Sequence, residues 1–155
     1  MTNLGRLSLF ILIALLAACG PSERIQKSGL ELQAFQAKEF EATKALAFAS
    51  VLSVFQDLGY IIVSASLETG FITAKSPTQS YDTLGYSVVE DTKATAFVEQ
   101  FSKTTKVRLN FVTSRLRSGA FGARGDEDTP IEDPAIYQKA FAKIQEAIFI
   151  RSAGQ

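Results

Sequence analysis

Val51-Leu52-Ser53-Val54-Phe55-Gln56-Asp57-Leu58-Gly59-Tyr60, running on through Ile61–Leu67 to Gly70-Phe71-Ile72-Thr73-Ala74-Lys75, changes its apolar period midway and so decides the fold. Phe48, Val51, Leu52, Phe55 and Leu58 fall three or four residues apart, the spacing of one helical face. Thr43 stands where an N-cap hydroxyl accepts a free amide and Gly59 supplies a stop, which predicts a helix over Thr43–Leu58. After Gly59 the period drops to two: Ile61, Val63, Ala65 and Leu67 alternate with Tyr60, Ile62, Ser64 and Ser66, as in a half-buried strand. Glu68-Thr69-Gly70 is a tight turn in which Gly70 can take a positive φ, and Phe71–Lys75 returns as the partner strand. The helix stripe needs a flat apolar surface, and the hairpin provides one.

Working outward, Leu30–Lys38 alternates loosely and reads as a first strand. Ser76–Gly85 is polar, carries Pro77, and reads as a loop or an irregular edge; Tyr86–Val89 follows as a short strand. Lys93–Ser114 has the pattern of a second hairpin, with Ala94–Phe101 outward, Ser102–Thr105 turning and Lys106–Ser114 returning. In the return strand Val107, Leu109 and Phe111 face one way and Lys106, Arg108 and Asn110 the other, so one face is wet. Thr92–Phe101 also fits a helix, because Ala and Glu dilute its strand signal, and both readings stand. Gly119–Glu132, with three glycines, Asp126-Glu127-Asp128 and Pro130, reads as a long exposed loop. Asp133-Pro134 then opens a final helix, capped by Asp and started by Pro, with Ile136, Tyr137, Ala140, Phe141, Ile144 and Ile148 as its buried stripe as far as Arg151. The order β-α-β-β-β-β-α is α+β: an antiparallel sheet with two amphipathic helices on one face.

The N-terminus carries a different kind of signal. Arg6 precedes an apolar run, Leu7–Leu16, broken only by Ser8 and about half the length needed to span a bilayer, so it reads as a signal-peptide core. Leu16-Ala17-Ala18-Cys19 resembles the lipobox of bacterial lipoproteins. The resemblance implies removal of residues 1–18, a diacylglyceryl group on the Cys19 sulfur and acylation of its new amino group. Gly20, rather than Asp, in the second mature position implies sorting to the outer membrane, with the domain facing the periplasm. Cys19 is the only cysteine, so it has no disulfide partner, and lipidation accounts for an exported lone thiol better than an ordinary secretory signal or an uncleaved anchor. Residues 19–28 are then the lipidated Cys and a polar tether, and residues 29–155 a single domain.

Composition narrows the function. Without residues 1–18, 137 residues remain, enough for one domain with a real core. The 16 basic and 16 acidic residues, 15 against 16 once Arg6 is lost, give no basic excess for nucleic acid. With no His and no second Cys, Ser-His-Asp and Cys-His catalysis and zinc sites built on those ligands are excluded. The 12 Phe and absent Trp point to a Phe-rich core.

The remaining motifs are weak. Asp126, Glu127 and Asp128 lack the alternating ligand pattern of a calcium loop. Arg124-Gly125-Asp126 matches an integrin-binding tripeptide, but three residues recur by chance. Gly119, Gly122 and Gly125 are not followed by Lys-Ser/Thr or a helix, as a phosphate cradle requires. No nucleophile has a base to activate it, so no catalytic residue, metal ligand or cofactor site is assigned. The candidate partner contacts are Lys106 and Arg108, on the wet strand face, with Tyr81 and Phe121 in loops.

The unit Val51–Tyr60, Ile61–Leu67 and Gly70–Lys75 resembles the "helix, Leu-Gly-aromatic, strand, turn, Gly-x-Ile" pattern of small outer-membrane lipoproteins, shared by the helix-grip domains of the Bam-complex lipoprotein C. Asp133–Phe141, running to Ile148-Phe149-Ile150, is similar to the closing helix of a family of outer-membrane lipoproteins without assigned activity. The chain has one such domain rather than two and lacks the long N-terminal segment of lipoprotein C. The resemblance therefore implies a helix-grip-like fold and carries over no functional residue. The expectation is a lipid-anchored, non-enzymatic envelope protein that binds or scaffolds a protein partner in outer-membrane assembly or maintenance. The alternative is a carrier or sensor of a small apolar ligand held between sheet and helix.

Overall fold

A computed structural model describes residues 29–119, 122 and 124–154. The signal segment, the tether with Cys19, and Phe121 lie outside the described residues. In chain order the elements are α1 (Gly29–Gln36), β1 (Ala37–Phe40), α2 (Lys44–Asp57), β2 (Ile61–Ser66), β3 (Phe71–Lys75), β4 (Gln79–Thr83), β5 (Tyr86–Phe101), β6 (Thr104–Gly119), β7 (Arg124–Pro130) and α3 (Pro134–Ala153). The fold is α+β, with one antiparallel seven-stranded sheet.

The long β5–β6 hairpin is the spine. Its half nearest the Ser102-Lys103 turn is flanked by β3 and then β2 on one side and β1 on the other; its far half is flanked by β4 and β7. Helices cover one face of the near half only. Ala94, Ala96 and Val98 of β5 and Val107, Leu109 and Phe111 of β6 point into that layer, where they meet Val51, Val54 and Phe55 of α2 and Tyr137, Phe141 and Ile144 of α3. Fully burying each of these large side chains contributes about 1.5–3 kcal/mol, so this half holds most of the fold's apolar stabilisation.

The sequence specifies several of these elements locally. The Thr43 hydroxyl accepts from Leu46 N at 3.3 Å, and beyond the C-cap Leu58 the chain leaves α2 through Gly59 at φ +85°. Asp133 accepts from Ala135 N at 2.9 Å with Pro134 behind it, as predicted for α3. Gly70 is required twice over: its φ is +79°, and a Cβ there would lie 2.2 Å from the Val98 carbonyl oxygen.

Other expectations are corrected. Leu30–Lys38 is not a strand: α1 takes most of it, and β1 begins only at Ala37 and pairs with β6, giving three helices among the described residues. In α1 Leu32, Phe35 and Gln36, three and four residues apart, are half-buried, whereas Leu30 and Ala34 are exposed, so the spacing that holds is helical and the apparent alternation does not. In β2 a bulge between Ile62 and Ser64 splits the alternating set, so Ile62 packs on the core while Ile61 and Val63 are each 64% exposed. Ser76–Gly85 contains the regular edge strand β4, and Tyr86–Val89 is the start of a continuous strand that runs to Phe101. That continuity rules out the helical reading of Thr92–Phe101. Gly119–Glu132 is not a free loop, because Arg124–Pro130 pairs with β6 in register from Ser118 to Val112. Ile136 stands on the rim of the α3 stripe, 41% exposed.

Candidate functional site

The sheet face turned away from the helices carries no layer among the described residues. Alternation places Phe71 of β3, Phe97 of β5 and Arg108 of β6 on it, and register sets them in one row: Ser66, Phe71, Phe97, Arg108, Ala37. The Phe71 and Phe97 rings lie 4.6 Å apart at 34°, and Phe71 is 57% exposed. The next row pairs Glu99 with Lys106 and Lys106 with Glu39; on the other side Thr73, Thr95 and Asn110 form a polar row. An aromatic pair next to an exposed guanidinium, bordered by hydrogen-bonding side chains, matches a small interface core with a polar rim.

Lys106 and Arg108 therefore occupy one open surface, as the alternation of β6 predicts, and the structure adds Phe71 and Phe97. Sequence reading missed those two because phenylalanines at strand period look like core; only the register shows them back to back with the core face. Towards the far half, Lys75 Nζ bonds Asp91 Oδ2 at 2.9 Å, while Asp91 Oδ1 and Ser114 Oγ, paired in register across β5 and β6, are buried without a partner.

Tyr81 lies elsewhere. It belongs to the blade formed by β4, β5, β6 and β7, which projects past the helices. On the blade's helix-side face Tyr81, Val88, Arg117 and Gly125 make one row, and Gln79, Glu90, Arg115 and Glu127 the next. Tyr81 donates its hydroxyl to Glu90 Oε2 at 3.2 Å, Arg115 Nε donates to the same oxygen at 2.8 Å, and Arg117 reaches Glu127 at 3.5 Å. The Arg115 hydrogen bond holds the Glu90 carboxyl below its ordinary value of 4.5, and that bond in turn holds Arg115 protonated more firmly. Tyr81, Leu84, Tyr86, Val88, Arg117 and Arg124 line an open groove of about 780 Å³. Asp126, Glu127 and Asp128 alternate across β7, so the three acids do not converge, and among the described residues no cluster of His, Cys, Asp or Glu has the makings of a metal site. Phe121 lies outside the described residues and is not placed.

No protein-family model matches the chain, and no curated protein matches it. Among solved structures it is similar to the crystal structure of a DUF4468 family protein from Bacteroides ovatus ATCC 8483, at 9% identity over 72% of this chain and 84% of that one, with a TM-score of 0.39.

Proposed function

We propose that this is a lipid-anchored, non-enzymatic envelope protein that holds a protein partner against the uncovered face of its sheet. The observation that carries this reading is the Phe71–Phe97 pair beside Arg108, an apolar and cationic row on a sheet face with no layer over it among the described residues. Its chemistry fits a partner that sets an apolar side chain against the two rings and a carboxylate against Arg108. The lipobox-like Leu16-Ala17-Ala18-Cys19 supports the anchor, and the two stretches similar to outer-membrane lipoproteins support a role in outer-membrane assembly or maintenance.

The apolar-carrier reading has less support. The space between sheet and helices is filled: Phe55, Tyr60, Phe111 and Tyr137 pack ring against ring there, with centroids 5.2–6.3 Å apart. The test is affinity purification of the full chain from crosslinked envelope, wild type against Phe71→Ser and Arg108→Glu, with the mass of the N-terminal peptide measured in parallel. A stoichiometric partner retained by wild type and lost by both variants is expected. Equal recovery with all three would refute the surface, and an N-terminal peptide without acyl mass would refute the anchor.

A further inference from the structure

The uncovered face of the sheet is ordered by charge along its length. By register and alternation its near half carries Arg108, Lys106, Lys93 and Lys75 against Glu39 and Glu99. Its far half carries Asp82, Asp91, Asp126 and Asp128 against Arg124. One half is therefore net positive and the other net negative. Apolar side chains stand in both: Phe71 and Phe97 in the near half, Val89 and Leu116 in the far half. A face of this kind is complementary to itself when reversed end for end.

Register makes the match specific. Val89, Leu116 and Asp126 share one row, four rows beyond the row of Phe71, Phe97 and Arg108. An apolar side chain for the rings and a carboxylate for Arg108, the chemistry this surface asks of a partner, are thus both present on the chain's own far half. A two-fold axis crossing the strands at the Lys93–Val112 row lays the two rows over each other. Phe97 then faces Val89 of a second copy, and Arg108 faces its Leu116 with Asp126 alongside. The same operation sets Thr95 and Asn110 over Asp91 and Ser114, whose Oδ1 and Oγ have no partner among the described residues. Lys93, on the axis, falls between the Asp91 carboxylates of the two copies.

The area is sufficient. β5 and β6 have 16 residues each, about 50 Å, and the four to five strands abreast are about 16 Å or more across. That footprint, about 800 Å² per copy, matches one side of a standard protein–protein interface. Twisted sheets pack face to face in this way about 10 Å apart. We infer that the partner of the uncovered face is a second copy of this chain, packed sheet on sheet and reversed end for end. This rests on the partner-surface reading above.

Arg108 and Asp126 lie about 26 Å apart along the strands of one chain, too far to meet within it. The full chain with a photo-crosslinking amino acid at Val89, in intact cells, is expected to give an adduct of twice the chain's mass, joined near Phe97. Arg108→Glu should abolish the adduct, and so should Asp126→Arg; both positions are exposed, so neither change disturbs the core. Combining the two reversals should restore the adduct to near the wild-type amount. No restoration would overturn the inference, as would an adduct joining Val89 to Val89. An adduct of another mass would overturn it while leaving a different partner on the face. No adduct from either Val89 or Phe71 would overturn both the second copy and the partner surface.

Discussion

Tyr137 meets Phe111 edge-on, their ring centroids 5.2 Å apart, and its hydroxyl donates to the Ile131 carbonyl at 2.7 Å while Phe111 N donates to that hydroxyl at 3.4 Å. This contact marks where the helix layer ends and the bare blade begins. One phenol closes the core, holds the chain leaving β7 and starts α3. Tyr137→Phe leaves the Ile131 oxygen without its donor and should cost about 1–3 kcal/mol in urea unfolding. Tyr137→Ala, which also empties the ring's site, should cost about 3–5 kcal/mol. Equal stabilities for wild type and Tyr137→Phe would show that the hydroxyl holds nothing.

Gly70 ties the first hairpin to β5, its oxygen accepting from Val98 N at 2.9 Å. Gly70→Ala should destabilise by about 1–3 kcal/mol from the positive φ alone, and by more once the added methyl meets the Val98 oxygen. Thermal unfolding should place Gly70→Ala well below Gly85→Ala, because a Cβ at Gly85 meets nothing within 4 Å. The reverse ranking would contradict the close approach.

Glu90 titrates below its ordinary 4.5 because its charged form is bonded to Arg115 and, through the phenol, to Tyr81. The sign follows: the pair stabilises the blade above about pH 4.5, and that contribution disappears as pH falls through the lowered folded value. Amide opening in β4 and β5, read as exchange divided by the intrinsic rate at each pH, should therefore quicken on acidification in wild type. In Glu90→Gln it should be faster at neutral pH and nearly flat through the same range. An identical pH response in both proteins would remove Glu90 as its source.

Leu84→Asn replaces a disfavoured turn residue, at φ 47° between β4 and β5, with one that accepts positive φ. The variant should be more stable, by about 1 kcal/mol, in denaturant unfolding. A loss of stability would mean that Leu84 is placed for packing.

The parts of the fold read from sequence are those whose local chemistry and burial agree. Thr43, Gly59 and Asp133 mark helix ends by their own hydrogen bonds and Pro134 by its fixed φ and missing N–H, and Val107, Leu109 and Phe111 alternate because, among the described residues, only one side of β6 is covered by helices. β4 and β7 were hidden because edge strands owe their pairing to the neighbouring strand rather than to an apolar face, and their polar compositions, Gln79–Thr83 and Arg124–Pro130, read as loop. β2 misled because its bulge breaks the count of two at Val63. Lys106 and Arg108 were legible as a wet strand face, whereas Phe71 and Phe97 were not, since no periodicity distinguishes an aromatic on an uncovered sheet face from one in the core. The lipobox-like Leu16–Cys19 stretch is an expectation from the sequence and lies outside the described residues.

Site-specific photo-crosslinking in intact cells tests the central claim most directly, with a crosslinking amino acid at Phe71 and, for comparison, at Phe149 on α3. A discrete adduct of one mass from position 71, lost when Arg108→Glu is added and absent from position 149, is the predicted result. The same adduct from both positions, or none from position 71, would contradict a partner seated on the open face.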